Sequence, residues 1–171
     1  NQMFFAALFH RNNLILYEPE LGMFYAYDPE SGLWRHKTED RVAVEVGESL
    51  IPPLIALGAE SLLRKRSGHL VGQVVRFLRG IAEKRDAFRR RRFVIHVGNG
   101  VLHLDGAAPR LEEFSPDYYS RNRSEICYEA GATCPRFMNK LLGPALSEDD
   151  ITLLQRYAGQ CLLGCNPSHK V

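Results

Sequence analysis

Four consecutive arginines, Arg89–Arg92, stand directly before an apolar stretch, Phe93-Val94-Ile95-His96-Val97. Guanidinium groups offer paired N–H donors to phosphate oxygens, so a run of them can track a nucleic-acid backbone. The run closes a longer basic segment made of Arg64, Lys65, Arg66, Arg76, Arg79, Lys84, Arg85, Arg89, Arg90, Arg91 and Arg92. Between positions 64 and 92 these eleven face only two acidic residues, a local net of +9. The rest of the 171-residue chain holds eleven basic and eighteen acidic residues, a net of −7, so the overall +2 conceals an asymmetry. Such clustering is the electrostatic footprint that phosphate binding requires. Three readings of the segment stay open: contact with nucleic acid, docking on an acidic surface of a partner subunit, or a charged flank that keeps the next strand soluble. Arg121, Arg123 and Tyr118-Tyr119 would extend the same surface if the rings stack on bases. Burial of the tyrosines is the alternative.

Other chemistry is sparse. There is no G-x-x-x-x-G-K-[ST] phosphate loop, no H-E-x-x-H and no G-x-S-x-G. Gly98-Asn99-Gly100 joins two expected strands rather than a strand and a helix, so it is no dinucleotide fingerprint. Glu112-Glu113 and Glu148-Asp149-Asp150, with Asp105, are the carboxylates a two-metal site would need gathered together. Read locally, they are a solvated turn and a helix start. His96 and His103 lie on the two strands of one hairpin and could face each other as a packed pair. Cys161-x3-Cys165-x3-His169 has zinc-binding residue types but lacks the C-x2-C knuckle. Buried structural thiols are expected there instead. No catalytic, cofactor or metal site is expected in this chain.

The elements that would carry these residues follow from punctuation and period. Leu14–Tyr17, Met23–Tyr27 and Leu33–His36 read as a β-meander, split by Pro19/Gly22 and Pro29/Gly32 turns. Trp34 and Tyr25 are expected on one face. Thr38 or Asp40 opens a helix with Val42, Val46 and Leu50 at helical spacing, and Pro52-Pro53 breaks or kinks it. A basic amphipathic helix is expected from Glu60 to about Arg85, divided at Ser67-Gly68. Phe93–Val97 and Val101–Asp105 form a hairpin whose tight Gly98-Asn99-Gly100 turn has residues suited to positive φ. Pro109–Phe114 reads as a short strand, and Tyr118–Tyr128 as irregular. Pro135 starts a helix through Leu142, and Ser147 caps an acidic one with Ile151, Leu154, Ala158, Cys161 and Leu162 on its stripe.

Composition is that of a globular chain, 45% hydrophobic and 25% charged. The class is α+β, with hairpins at the N-terminus and middle and helices between and after. One domain, 1–171, is expected, with possible sub-parts 1–92 and 93–171. No apolar window is long enough to span a membrane, and the first residues lack the basic start of a signal peptide. A start at Asn1 suggests a piece cut from something longer. Four cysteines are too few for a disulfide scaffold and are read as reduced thiols in a cytoplasmic protein.

The order of motifs carries more than any single one. The hairpin Ile95–Gly106 is followed by Phe114-Ser115-Pro116-Asp117-Tyr118-Tyr119. Next come Tyr128-Glu129-Ala130-Gly131-Ala132-Thr133-Cys134-Pro135-Arg136-Phe137 with Leu141, and then Leu154-Gln155-Arg156 through Leu162-Leu163-Gly164. This series, with the aromatic meander upstream, resembles the poxvirus-type (D-five) N-terminal-like domain of phage and plasmid primase-helicases, over nearly the whole chain. The resemblance implies a collar-like region preceding a superfamily 3 helicase motor. DNA and the other subunits of a homo-hexameric ring would be its partners. ATP and magnesium would be needed only in that motor, which lies beyond Asn166-Pro167-Ser168-His169-Lys170-Val171. The stretch Arg64–Arg92 has no counterpart in the resemblance, so its role rests on charge.

Overall fold

The computed structural model describes residues 2–56, 58, 67–89, 93–106 and 108–163. The chain forms two compact units. The first comprises Asn1–Arg91 with Phe114–Asn122, and the second Arg92–Glu113 with Arg123–Val171. The class is α+β: two three-stranded antiparallel sheets and five α-helices among the described residues.

In the first unit the meander forms as its turns predict. β1 (Ile15–Glu18), β2 (Met23–Asp28) and β3 (Leu33–Lys37) pair in that order, with Leu16 opposite Tyr25 and Tyr27 opposite Trp34. Alternation then sorts the side chains into two faces. Ile15 and Phe24 join Val42 and Val46 of α2 (Glu39–Ser49) and Val74, Val75 and Leu78 of α4 (Gly68–Ile81) in the main core. Leu16, Tyr25 and Trp34 point the other way and pack with Ala87, Phe88 and Tyr119. Tyr25 and Trp34 therefore share a face, as expected. Thr38 caps α2 by accepting from the Arg41 N–H, and Ser67 caps α4 by accepting from Leu70 N–H. The two prolines do not end a continuing helix; they occupy the first turn of a new one, α3 (Ile51–Ala56), where no N–H is missed.

Both edges of this sheet are partly covered. Tyr17 N–H donates to Ala82 O at 2.8 Å and Lys84 N–H to Tyr17 O at 2.9 Å, so the chain after α4 runs beside β1. At the opposite edge Trp34 N–H donates to Ser120 O at 2.7 Å, and the indole N–H donates to Pro116 O at 2.9 Å. An element not expected from the sequence is α1 (Gln2–Asn12), which puts Ala6 and Phe9 into the main core. Its run from Met3 to Phe9 is apolar on every side and hides the helical period.

In the second unit β4 (Val94–Val97), β5 (Gly100–His103) and β6 (Arg110–Glu112) form the other sheet. The hairpin link is two residues, Gly98-Asn99, but neither has the positive φ expected of it; that falls on Gly100, at 155°. Packing explains the difference. A Cβ on Gly98 would stand 2.7 Å from the Glu125 carbonyl oxygen, so glycine is there for close approach. The Asn99 side chain is tied to the next segment, accepting from Tyr128 N–H at 2.8 Å and donating to Tyr128 O at 2.9 Å. The helix expected after Pro135 is a π-helical segment, Arg136–Leu142, in which Gly143 N–H reaches back to Met138 O. α5 (Glu148–Leu163) opens with a reciprocal cap: Asp150 N–H donates to Ser147 Oγ, and Ser147 N–H to the Asp150 carboxylate.

Candidate nucleic-acid interface

Six of the eleven basic positions, Arg64, Lys65, Arg66, Arg90, Arg91 and Arg92, lie outside the described residues. The other five belong to the first unit. Arg76 is exposed on α4, and no carboxylate among the described residues pairs with it. Arg79, one turn on, binds the Glu39 carboxylate at the start of α2, with its guanidinium 5.7 Å from the Tyr17 ring centre. Lys84 holds its ammonium 4.8 Å over the Tyr119 ring, which stacks on Trp34 at an interplanar angle of 6°. Arg85 pairs with Glu83 at 2.8 Å. Arg89 is held between Glu20 and Asp86, the latter at 3.0 Å.

This is a finding about charge. Three of the five described cations face carboxylates, two of which, Glu20 and Glu39, come from distant parts of the chain. Arg85 and Arg89 are well exposed and Arg79 is half-buried, so the pairs lie at or near the surface, each worth under about 1 kcal/mol and screened by salt. A phosphate can displace such a partner.

The aromatic and basic residues near the meander fall differently. Tyr118 and Tyr119 are half-buried rather than presented on the surface. Tyr119 is one of two described non-glycine residues with positive φ, at 48°. It ends the short 3-10 turn Pro116–Tyr118 and so carries Ser120 to the edge of β3. With Lys84 and Trp34 it lines a cavity of about 340 Å³. Arg121 lies 4.7 Å over the Phe88 ring, whereas Arg123 belongs to the second unit and pairs with Glu125. Sequence reasoning did not single out Arg35, His36 or Asn122, which with Arg121 line a cleft of about 520 Å³. A basic pair at the end of a strand gives no periodic signal beyond alternation.

The remaining candidates separate. The register puts His96 opposite Val101 and His103 opposite Val94, so the two imidazoles share a face on a diagonal rather than facing directly. His96 is buried, and burial followed by the Arg123 charge lowers its pKa from the usual value. His103 contacts Glu112 at 3.1 Å, and Arg110 binds the same carboxylate at 2.9 Å. Glu112 is thus engaged within the sheet, and Glu148-Asp149-Asp150 occupies the first turn of α5. Among the described residues no group of three or more His, Cys, Asp or Glu is placed to hold a metal ion. The expectation of buried cysteines is corrected: Cys127, Cys134 and Cys161 are free thiols and all exposed. Cys161 sits on α5, which buries none of its described side chains, so an apolar helical stripe is not by itself evidence of a core. Cys165 and His169 lie outside the described residues. No described helix is long and apolar enough to cross a membrane.

Comparison with curated proteins returns no match. The sequence does match the family described as D5 N terminal like, over residues 2–143, which takes in both sheets, every described α-helix before α5 and the π-helical segment. With most of its length inside that match, the chain belongs to the D5 N-terminal-like family, a non-catalytic domain associated with primase-helicases.

Proposed function

We propose that this chain is an accessory domain of a phage or prophage DNA primase-helicase, helping DNA engage a superfamily 3 motor and supporting ring assembly. The family match over residues 2–143 carries the reading. In this view ATP and magnesium are the business of the motor, and the domain works in the cytoplasm on DNA beside other copies of itself. The DNA role draws on the +9 segment, in which Arg76, Arg85 and Arg89 are exposed and Arg79 is half-buried. Binding of a labelled forked DNA, followed by fluorescence anisotropy at two salt concentrations, tests it. Binding should weaken steeply with salt, and Arg89→Ala/Arg90→Ala/Arg91→Ala/Arg92→Ala should weaken it further. Equal affinity of parent and variant would remove the arginine run from the interface.

One observation favours a second reading, a module that joins protein subunits and touches no DNA. Arg79, Arg85 and Arg89 already choose carboxylate partners. An acidic surface on a neighbouring subunit would offer the same chemistry. Mass measurement of a longer protein separates the two, because the four-alanine variant would then lose the ring.

A further inference from the structure

We propose that the cleft beside the β3 edge, lined by Arg35, His36, Arg121 and Asn122, holds phosphate groups of a single DNA strand. The proposal rests on the reading that the domain engages DNA, and it names where.

The lining sets this cleft apart from the basic segment. Its walls among the described residues are Tyr25, Trp34, Arg35, His36, Arg121 and Asn122, none of them a carboxylate. Arg35 has Asp28 at 4.0 Å, beyond hydrogen-bonding distance, and that carboxylate is already taken by the Ser31 hydroxyl and the Glu30 N–H. Arg121 makes no ion pair among the described residues. It is positioned by an aromatic ring: the guanidinium lies over Phe88, and Phe88 packs 4.6 Å from Tyr25. A ring orients the guanidinium plane without using its N–H groups, so the fork stays available to an oxyanion. On its other side Arg121 borders a smaller cavity with Glu18, Glu20 and Asp86; Arg89 pairs with the last two, and the buried Glu18 accepts from Ala87 N–H.

The backbone adds a neutral donor. Trp34 N–H points outward from the sheet to Ser120 O. In an antiparallel edge strand every second residue points the same way, so the His36 N–H also faces outward, beyond the covering segment. A single strand suits the site better than a duplex because an aromatic ring stands among the cations. His36 is exposed, and its ring meets Tyr25 at 66° rather than in a parallel stack, which leaves it free to take a base. Cations that follow the backbone, with rings that accept bases, are how unpaired strands are held.

The test uses the whole 171-residue chain and a labelled oligo-dT, with affinity measured across a salt series. Arg35→Gln/Arg121→Gln should weaken binding at least tenfold. It should also lower the slope of log affinity against log salt by about 1.4, at roughly 0.7 per phosphate contact on a single strand. Lys140→Gln/Arg156→Gln removes the same charge from exposed positions of the second unit and should change little. Should the first variant melt at a lower temperature, Arg35→Gln/Asn122→Asp, at two exposed side chains, gives the same expectation. If the parent binds and the cleft variants bind equally well, or if the charge-matched variant loses as much, the cleft is wrong while the DNA reading stands. If the parent binds neither oligo-dT nor forked DNA, both fall together.

Discussion

Two glycines in the same meander separate backbone strain from packing. Gly22 and Gly32 each close a turn with positive φ, at 65° and 70°. Around Gly22 there is nothing within 4 Å of where a Cβ would stand. At Gly32 a Cβ would lie 2.8 Å from Phe114 Cβ and nearer still to the ring. Gly22→Ala therefore pays only for a left-handed L-residue, about 1–2 kcal/mol. Gly32→Ala adds an overlap that forces Phe114 aside, a further 1–3 kcal/mol or so. For a unit of this size each kcal/mol lowers the melting temperature by about 4–8 °C. Urea unfolding followed by fluorescence reads the right region, because the chain's one tryptophan is Trp34, in this sheet. The expected order is parent, then Gly22→Ala, then Gly32→Ala. Adding Phe114→Ala to Gly32→Ala should recover the overlap part in a double-mutant cycle. Equal losses at the two glycines, or no coupling to Phe114, would refute the packing of the segment Phe114–Asn122 on the first sheet.

Three further outcomes are expected. His96 is held neutral by burial, so its folded pKa lies below the ordinary 6.5 of the unfolded chain. The unfolded state then takes up a proton first as pH falls. Stability should be complete above about pH 6.5 and decline through the window beneath it, and melts of the parent and His96→Gln at pH 7.5 and 5.5 should show a flatter profile for the variant. A Cβ at Gly100 would overlap the Glu112 carbonyl oxygen and stand 3.0 Å from Leu111 Cδ1. Gly100→Ala should thus destabilise the second sheet by about 1–3 kcal/mol, with faster amide exchange in β5 and β6; unchanged protection there would contradict the register. Glu20→Gln frees Arg89 from one of its two partners, so forked DNA should bind several-fold tighter if the basic segment contacts phosphate, and no change would favour a protein partner.

The strands were legible because their signals are local. Pro and Gly bracket each turn of the meander, and alternating residues mark its faces. Capping was equally plain at Ser147, and at Thr38 as one of two candidate openers with Asp40, where one side chain meets an N–H three residues on; Ser67 read only as a divider and proves to be a cap. What resisted reading depends on distant residues. The helix α1 is apolar all round, so only the core it meets selects Ala6 and Phe9. The glycine at position 98 reads as a turn former, yet the Glu125 carbonyl requires it. Nothing local in Phe114–Asn122 announces that it returns to the first sheet and supplies the acceptors for Trp34. The cleft is invisible for the same reason, since Arg35 and Arg121 are separated by about half of the chain.

That separation bears on how a basic segment should be weighed. A local net of +9 counts side chains as though they stood alone, and the fold returns carboxylates to them: Glu39 to Arg79, and Glu20 to Arg89. Clustered charge in sequence therefore overstates the potential available to a ligand. The pairing does not abolish it, because exposed pairs are weak and a polyanion offers many phosphates at once. It sets a threshold instead. If the proposed DNA contact holds, a strand that also reaches Arg35, Arg76 and Arg121 would gain enough contacts to displace Glu20 and Glu83. On the proposed DNA reading, the arginines held by close carboxylates would set how much salt the contact withstands, and the more open ones would set where the strand first lies down.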